Sequence, residues 1–258
     1  MKFDFEGQVA VVTGGGGGIG RAVCLALARA GAQVLVVDLD RAAAEATVAE
    51  VAAAGGQAQM AVADVSRSQD VAAYVAQALQ AWGRIDIFMN NAGWQGPIHD
   101  LVDYPEDLFD RVMAINVRGV FLGLQHVLPV MIAQGRGAVV NTGSLGSYIG
   151  TRMLGPYTAS KHAVLGLTKT AALEVARKGV RVNAVCPGPV DTPMLQAIEA
   201  GQARDGDADR LRQQRAASIP DGRYALPEEV ANLMVYLASD LASHITGQGI
   251  QINGGSHA

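Results

Sequence analysis

The sequence predicts an α/β fold: a doubly wound parallel sheet of about seven strands, with helices on both faces. Three observations carry this expectation. Short β-branched runs alternate with longer helical patterns from residue 9 onward. The runs Val9-Ala10-Val11-Val12 and Val34-Leu35-Val36-Val37 are apolar on both faces, as a strand sandwiched between two helical layers must be. Glycine accounts for 31 of 258 residues, above the ordinary usage of ~7%, and its longest run falls where the first strand meets the first helix.

The elements follow in order. Val9 to Thr13 reads as a strand and Ile19 to Ala30 as a helix, then Gln33 to Asp38 and Arg41 to Ala54, then Gln57 to Val62 and Ser68 to Trp82. The rhythm continues with a strand at Ile85 to Asn90, a long helix near Leu108 to Ala133, a strand at Ala138 to Thr142, a helix from about Tyr157 to Arg177, and a strand at Val180 to Val185. No linker or shift of composition divides the chain, so residues 1–258 read as one domain. Only Asp191 to Gly222 breaks the pattern, through Gly201, Gly206 and the mixed-charge run Arg204 to Arg215. It follows the carboxyl end of a strand, where open α/β sheets bind ligands, so 191–222 is expected to be a mobile surface lid.

Composition narrows the function. Hydrophobic residues at 50% and charged residues at 17% describe a folded globular chain rather than a disordered one. A net charge of -4 and a pI near 5.7 argue against nucleic acid or an anionic membrane as partner. Met1 to Gln8 carries Asp4 and Glu6, and no run of 18 apolar residues occurs, so neither export nor membrane insertion is expected and the location is read as cytoplasmic. Cys24 and Cys186 fit no metal or redox spacing and read as small buried hydrophobes. His99, His126, His162, His244 and His257 form no ligand spacing, so no metal is expected.

The run Thr13-Gly14-Gly15-Gly16-Gly17-Gly18-Ile19-Gly20 sits between a strand and a helix, where free backbone N–H groups and the helix dipole favour a phosphate. It satisfies Gly-x-Gly-x-x-Gly at Gly15, Gly17 and Gly20, and equally Gly-x-x-x-Gly-x-Gly at Gly14, Gly18 and Gly20. A Walker A loop is excluded, because Arg21-Ala22 stands where Lys and Ser or Thr would hold phosphate and magnesium. Asp38 ends the second strand 18 residues after Gly20, near the ~20-residue offset of a carboxylate that binds adenosine ribose. It would repel a 2′-phosphate, and the glycine loop holds no cation, which favours NAD over NADP. Asp40 suits the cap of the next helix better than Asp38 does.

Tyr157 and Lys161 are four residues apart on one helix face, and Ser144 lies just beyond the end of the preceding strand. At this point the chain resembles the short-chain dehydrogenases/reductases in their single-domain form, with a dinucleotide-binding Rossmann fold. The match covers nearly the whole chain. The glycine loop resembles that family's Thr-Gly-x-x-x-Gly-x-Gly, which selects Gly14, Gly18 and Gly20, with Ile19 between them. Asn90-Asn91-Ala92-Gly93, Asn116, Ser144, and Tyr157 to Lys161 as Tyr-x-x-x-Lys match in order. The resemblance implies that Asp38 and Leu39 meet the ribose, Asp64 and Val65 the adenine, and Asn91, Ala92, Gly93, Pro187, Gly188, Val190 and Thr192 the rest of the cofactor. It also implies that Lys161 binds the nicotinamide ribose and that Asn116 organises a water relay.

The chemistry agrees with that resemblance. A cation about 4 Å from a tyrosine is worth roughly 1 to 4 kcal/mol, or one to three pKa units, so Lys161 and the oxidised nicotinamide together are expected to lower the Tyr157 phenol. Tyr157 can then take the proton of an alcohol as hydride leaves carbon, or return it to a ketone, while Ser144 hydrogen-bonds the developing alkoxide.

By family position the substrate wall comprises Trp94, Gln95, Leu145, Leu154, Met194 and Leu195, which suits a hydrophobic or cyclic secondary alcohol. Trp94-Gln95-Gly96 also resembles a stretch of some bacterial polyol dehydrogenases, where Gln95 would meet a hydroxyl. A 3-oxoacyl-carrier reductase is a rival that Asp38 disfavours, and a non-catalytic NAD-sensing protein is a rival that Ser144, Tyr157 and Lys161 disfavour. Phe109, Val112, Met113, Val117, Val120, Phe121, Leu124, Val127, Leu128 and Met131 cover more of the long helix than one sheet face can bury, and Ala163, Val164, Leu167, Ala171 and Val175 repeat the feature on the next. The resemblance turns these helices into a dimer face and the stretch Gly249 to Asn253 into a second contact. A homotetramer is expected, with a dimer as the fallback.

Overall fold

The computed structural model describes residues 3–203 and 206–257. Arg204, the first residue of the mixed-charge run, lies outside them. Seven parallel strands form one sheet in the order β3-β2-β1-β4-β5-β6-β7. They are β1 (Val9–Thr13), β2 (Gln33–Asp38), β3 (Gln57–Val62), β4 (Ile87–Asn90), β5 (Gly137–Thr142), β6 (Val180–Pro187) and β7 (Gly249–Ile252). The strand order reverses between β1 and β4, so their carboxyl ends diverge and leave a crevice there.

Alternation assigns the side chains to two cores. Val11 pairs with Leu35 on one side and Phe88 on the other, Phe88 with Val139, and Val139 with Val182, giving one continuous buried row. Helices α3 (Ser68–Trp82), α5 (Gly119–Gln134) and α6 (Gly155–Val175) cover that face. The opposite row, with Val12, Val36, Met89 and Val140, packs under α1 (Gly18–Arg29), α2 (Arg41–Ala53) and α9 (Pro227–Ala238). The sequence reading did not include α9, although its buried Val230, Met234 and Leu237 are spaced as a helical stripe.

Three other differences stand out. β4 begins at Ile87, where its pairing with Ala10 and Ala138 starts; Asp86 flanks it, its N donating to Val9 O and its O accepting from Ala138 N, each at 2.9 Å, while its carboxylate accepts from Val9 N at 3.0 Å and pairs with Arg84 and Arg136. The long helix is interrupted, with α4 (Glu106–Met113) and α5 separated by a π turn at Ala114–Arg118 in which Gly119 N donates to Ala114 O. The stretch read as an irregular lid contains α7 (Pro193–Gln202) and α8 (Ala208–Ser218), capped by Thr192 and Asp207.

By length and composition Glu106–Gln134 could cross a bilayer. Here Val120, Leu124, Val127 and Met131 pack onto the sheet, as a covering helix requires. Of the ten apolar residues counted on this run, Val112 is buried too, while Phe109 and Phe121 remain exposed. Leu173 on α6 is 85% exposed.

Candidate active site

A cavity of about 1030 Å³ runs along the carboxyl ends of the strands. At one end it is walled by Gly14, Gly17, Gly18 and Ile19, and farther along by Asp38, Leu39, Asp64 and Val65. Helix α1 starts there with Gly17 at its N-cap, no side-chain cap and no acidic residue in its first turn. Its first N–H groups therefore lack intrahelical partners and suit a pyrophosphate. Gly14 has φ +63, and a Cβ there would stand 2.9 Å from Ala92 Cα, so the loop closes against the end of β4.

The Asp38 carboxylate is held at the cavity wall by Gly16 N at 2.8 Å and Asp40 N at 3.0 Å. Asp40 caps α2, accepting from Ala42 N and Ala43 N. Arg41 pairs with Glu45 at 3.7 Å and is not part of the wall. Among the described residues, the charged groups lining this end are therefore Asp38 and Asp64, which suits ribose hydroxyls and disfavours a further phosphate. The residues present fit NAD.

Ser144, Tyr157 and Lys161 converge at the middle of the cavity. Lys161, 4% exposed, donates from Nζ to Thr142 O at 2.7 Å and lies 5.5 Å from the Tyr157 ring centre. Ser144 begins a single turn, accepting at Oγ from Gly146 N at 3.1 Å; Ser147 Oγ accepts from Ser144 N at 3.2 Å and donates to Lys161 O at 2.8 Å. Thr142 Oγ1 donates to Asn91 Oδ1 at 3.0 Å, and Asn91 N donates to Thr13 Oγ1 at 2.9 Å. The ends of β1, β4 and β5 are thus bound into one polar frame.

Burial acts on the central pair in opposite directions. It pushes the Tyr157 phenol up, with the Ser144 hydroxyl pulling the other way, and brings Lys161 down from 10.5 to about 8. For the protein without its cofactor, desolvation is the largest influence on the phenol, and the Lys161 ammonium is directed at Thr142 O.

Most residues singled out in the sequence line the cavity, including Asn91, Ala92, Gly93, Trp94, Leu145, Leu154, Pro187, Gly188, Val190, Thr192, Met194 and Leu195. Three do not. Gly20 packs so tightly that a Cβ would stand 2.0 Å from Gly14 O, so it shapes the loop from behind. Gln95 leaves the wall as the chain turns at Gly96, φ +73, against Tyr104 and Val112. Asn116 accepts at Oδ1 from Trp94 N and donates from Nδ2 to Trp94 O, each at 2.8 Å, and to Ser160 Oγ at 3.0 Å. Both its amide hydrogens are committed, so its side chain braces the Trp94 loop.

The sequence reading missed Ser147 and Ser160, although Ser147 stands three residues after Ser144 at capping-box spacing. It also missed Ile149, Arg152, Ile198, Gln202 and Arg215 on the wall.

The two helices of the 191–222 stretch are tied down by a buried carboxylate. Glu199 on α7, 2% exposed, accepts from Tyr224 Oη at 2.5 Å. Arg212 on α8 reaches Glu199 at 3.7 Å and Asp191 at 2.7 Å, with its guanidinium 5.0 Å above the Tyr224 ring centre.

Residues 14–257 match the family model described as enoyl-(acyl carrier protein) reductase. The chain belongs to the short-chain dehydrogenase/reductase family. Among the members it is similar to are levodione reductase of Leifsonia aquatica, 39% identical over 98% of this chain and 96% of that protein, and 2,5-dichloro-2,5-cyclohexadiene-1,4-diol dehydrogenase of Sphingobium indicum, 42% identical over 98% of each. The crystal structure of levodione reductase superposes with a TM-score of 0.95 over 97% of this chain and 98% of that one. NAD+-bound xylitol dehydrogenase superposes with a TM-score of 0.92 at 36% identity, over 96% of this chain and 98% of that one. As a family member of this kind, the chain is an NAD-dependent oxidoreductase that interconverts secondary alcohols and ketones.

Proposed function

We propose that Tyr157 is the proton carrier, with Ser144 holding the reacting oxygen and Lys161 keeping a positive charge beside both. The observation that carries this is the meeting of these three groups on the wall of the cavity that the glycine loop and the apolar residues also line. Bound NAD supplies the hydride acceptor for alcohol oxidation and, when reduced, the donor for ketone reduction. The raised Tyr157 phenol is protonated at neutral pH, so it is ready to donate to a ketone oxygen. In the other direction it must first lose that proton. Gly14, Gly18 and Ile19 are the seat for the pyrophosphate, Asp38 for the ribose hydroxyls, and Asp64 and Val65 for the adenine. Asn116 is a positioning residue that acts through Trp94.

The substrate is a hydrophobic or cyclic secondary alcohol, or its ketone. Trp94, Leu145, Ile149, Leu154, Met194 and Leu195 support this reading, as do the cyclic diol in one relative's name and the polyol in another's. The chain works as one domain over residues 1–258, with 191–222 as its lid. Exposed Phe109, Phe121 and Leu173, together with β7 at the open sheet edge, support a homotetramer. Buried free Cys24 and Cys186 suit a reducing cytoplasm.

A panel of secondary alcohols with NAD tests the reading through the appearance of reduced cofactor. Tyr157→Phe should lose turnover and keep NAD affinity. Turnover retained by that variant, or oxoacyl thioesters reduced far better than any simple ketone, would overturn it.

A further inference from the structure

The cavity is electrically lopsided. Apart from Asp38, Asp64 and Lys161, its charged lining among the described residues consists of Arg111, Arg152 and Arg215. This occurs in a protein whose net charge is -4. Among the described residues none of the three forms a salt bridge. Arg111 lies over Trp94, 4.8 Å from guanidinium carbon to ring centre.

The Arg152 backbone and the Arg215 side chain are both tied to one amide. Gln202, at the end of α7, donates from Nε2 to Arg152 O at 3.0 Å and accepts at Oε1 from Arg215 Nη2. The Arg152 guanidinium has no hydrogen-bond partner among the described residues, and Arg215 spends one donor on Gln202. The nearby acids are already taken, since Glu199 and Asp191 are engaged by Tyr224 and Arg212. Met153, next to Arg152, has φ 64, the single positive φ outside glycine among the described residues. Backbone strain of that kind persists where the surroundings hold a residue in place, and here His99 N donates to Met153 O at 3.2 Å.

A guanidinium presents paired donors that match a carboxylate, and in a partly enclosed cavity such a bond is stronger than in water. Arginines that line one cavity without a carboxylate partner favour an anion there. We propose that the substrate carries a carboxylate remote from its carbinol carbon, and that Arg152 and Arg215 bind it while the apolar wall holds the skeleton between. This rests on the alcohol dehydrogenase reading of the same cavity and names its substrate class more narrowly.

The test pairs a binding measurement with turnover. Cyclohexanecarboxylate and cyclohexanecarboxamide are titrated calorimetrically into the NAD-loaded enzyme, and 4-hydroxycyclohexanecarboxylate and its carboxamide are compared by kcat/KM. The carboxylate should be preferred by about tenfold or more in both, and Arg152→Gln or Arg215→Gln should reduce that ratio about tenfold, with Arg→Lys in between. Equal binding of acid and amide by the wild type, or a preference that survives in Arg152→Gln/Arg215→Gln, overturns the proposal. Carboxylate binding without oxidation of any alcohol would instead count against the dehydrogenase reading, and the binding preference would still support the arginine site.

Discussion

Replacing Lys161 by methionine should give a more stable protein that no longer turns over. Burial lowers the lysine from 10.5 to about 8, and each pKa unit is worth 1.36 kcal/mol, so holding this ammonium charged in the folded state costs about 3 kcal/mol below pH 8. Methionine avoids that cost while filling similar space, but it leaves Thr142 O without the charged donor it receives at 2.7 Å, a loss of about 2 kcal/mol. The net gain at pH 7 is about 1 kcal/mol. Between pH 8 and 10.5 the unfolded wild type binds more protons than the folded wild type, so its unfolding free energy rises with pH across that window, relative to the variant. The advantage of methionine should shrink accordingly and vanish or reverse near pH 10.5. Urea melts of both proteins, without cofactor and at equal protein concentration, measure the difference. A variant less stable at pH 7, or a difference that does not change with pH, would refute the reasoning.

Three other perturbations separate the parts of the site. Asp38→Ala with Leu39→Arg should shift preference toward NADP by about tenfold or more in the ratio of kcat/KM values, since a repelling carboxylate is replaced by a phosphate partner; an unchanged ratio counts against Asp38 as the discriminator. Gly20→Ala improves helix propensity by about 1 kcal/mol, yet its Cβ would stand 2.0 Å from Gly14 O, so calorimetry should show NAD affinity falling about tenfold or more. Unchanged affinity would mean the loop yields freely. Tyr224→Phe keeps the ring under Arg212 but removes the donor to buried Glu199, so KM for alcohols should rise while NAD affinity holds, with a stability loss of about 1 to 3 kcal/mol; unchanged KM and thermal midpoint would show that the tie does not position α7 and α8.

Much of the architecture was legible because the strands are buried on both faces and the helices carry strong periodicity, as in Val9–Thr13 and Ser68–Trp82. What escaped depends on tertiary geometry. The π turn at Ala114–Arg118 turns Asn116 toward Trp94 and Ser160, which a 3.6-residue period cannot reveal. Helix α8 is polar, α7 is short, and the two are tied through Glu199, Arg212 and Tyr224, partners spread over 26 positions. Arg152 and Arg215 reach one cavity wall from separate segments, each tied to Gln202, so spacing gave no sign of them. Gly20 and Asp38 were located by spacing, but only packing separates the glycine that shapes the loop from those that wall the cavity.

The central claim is direct hydride exchange between a secondary alcohol and NAD with Tyr157 carrying the proton. A secondary alcohol deuterated at its carbinol carbon, incubated with enzyme and NAD, tests it by mass spectrometry of the reduced cofactor. The account predicts that the label appears in the reduced nicotinamide ring and that Tyr157→Phe stops its transfer. Reduced cofactor free of the label, or labelled at the wild-type rate by Tyr157→Phe, would contradict it.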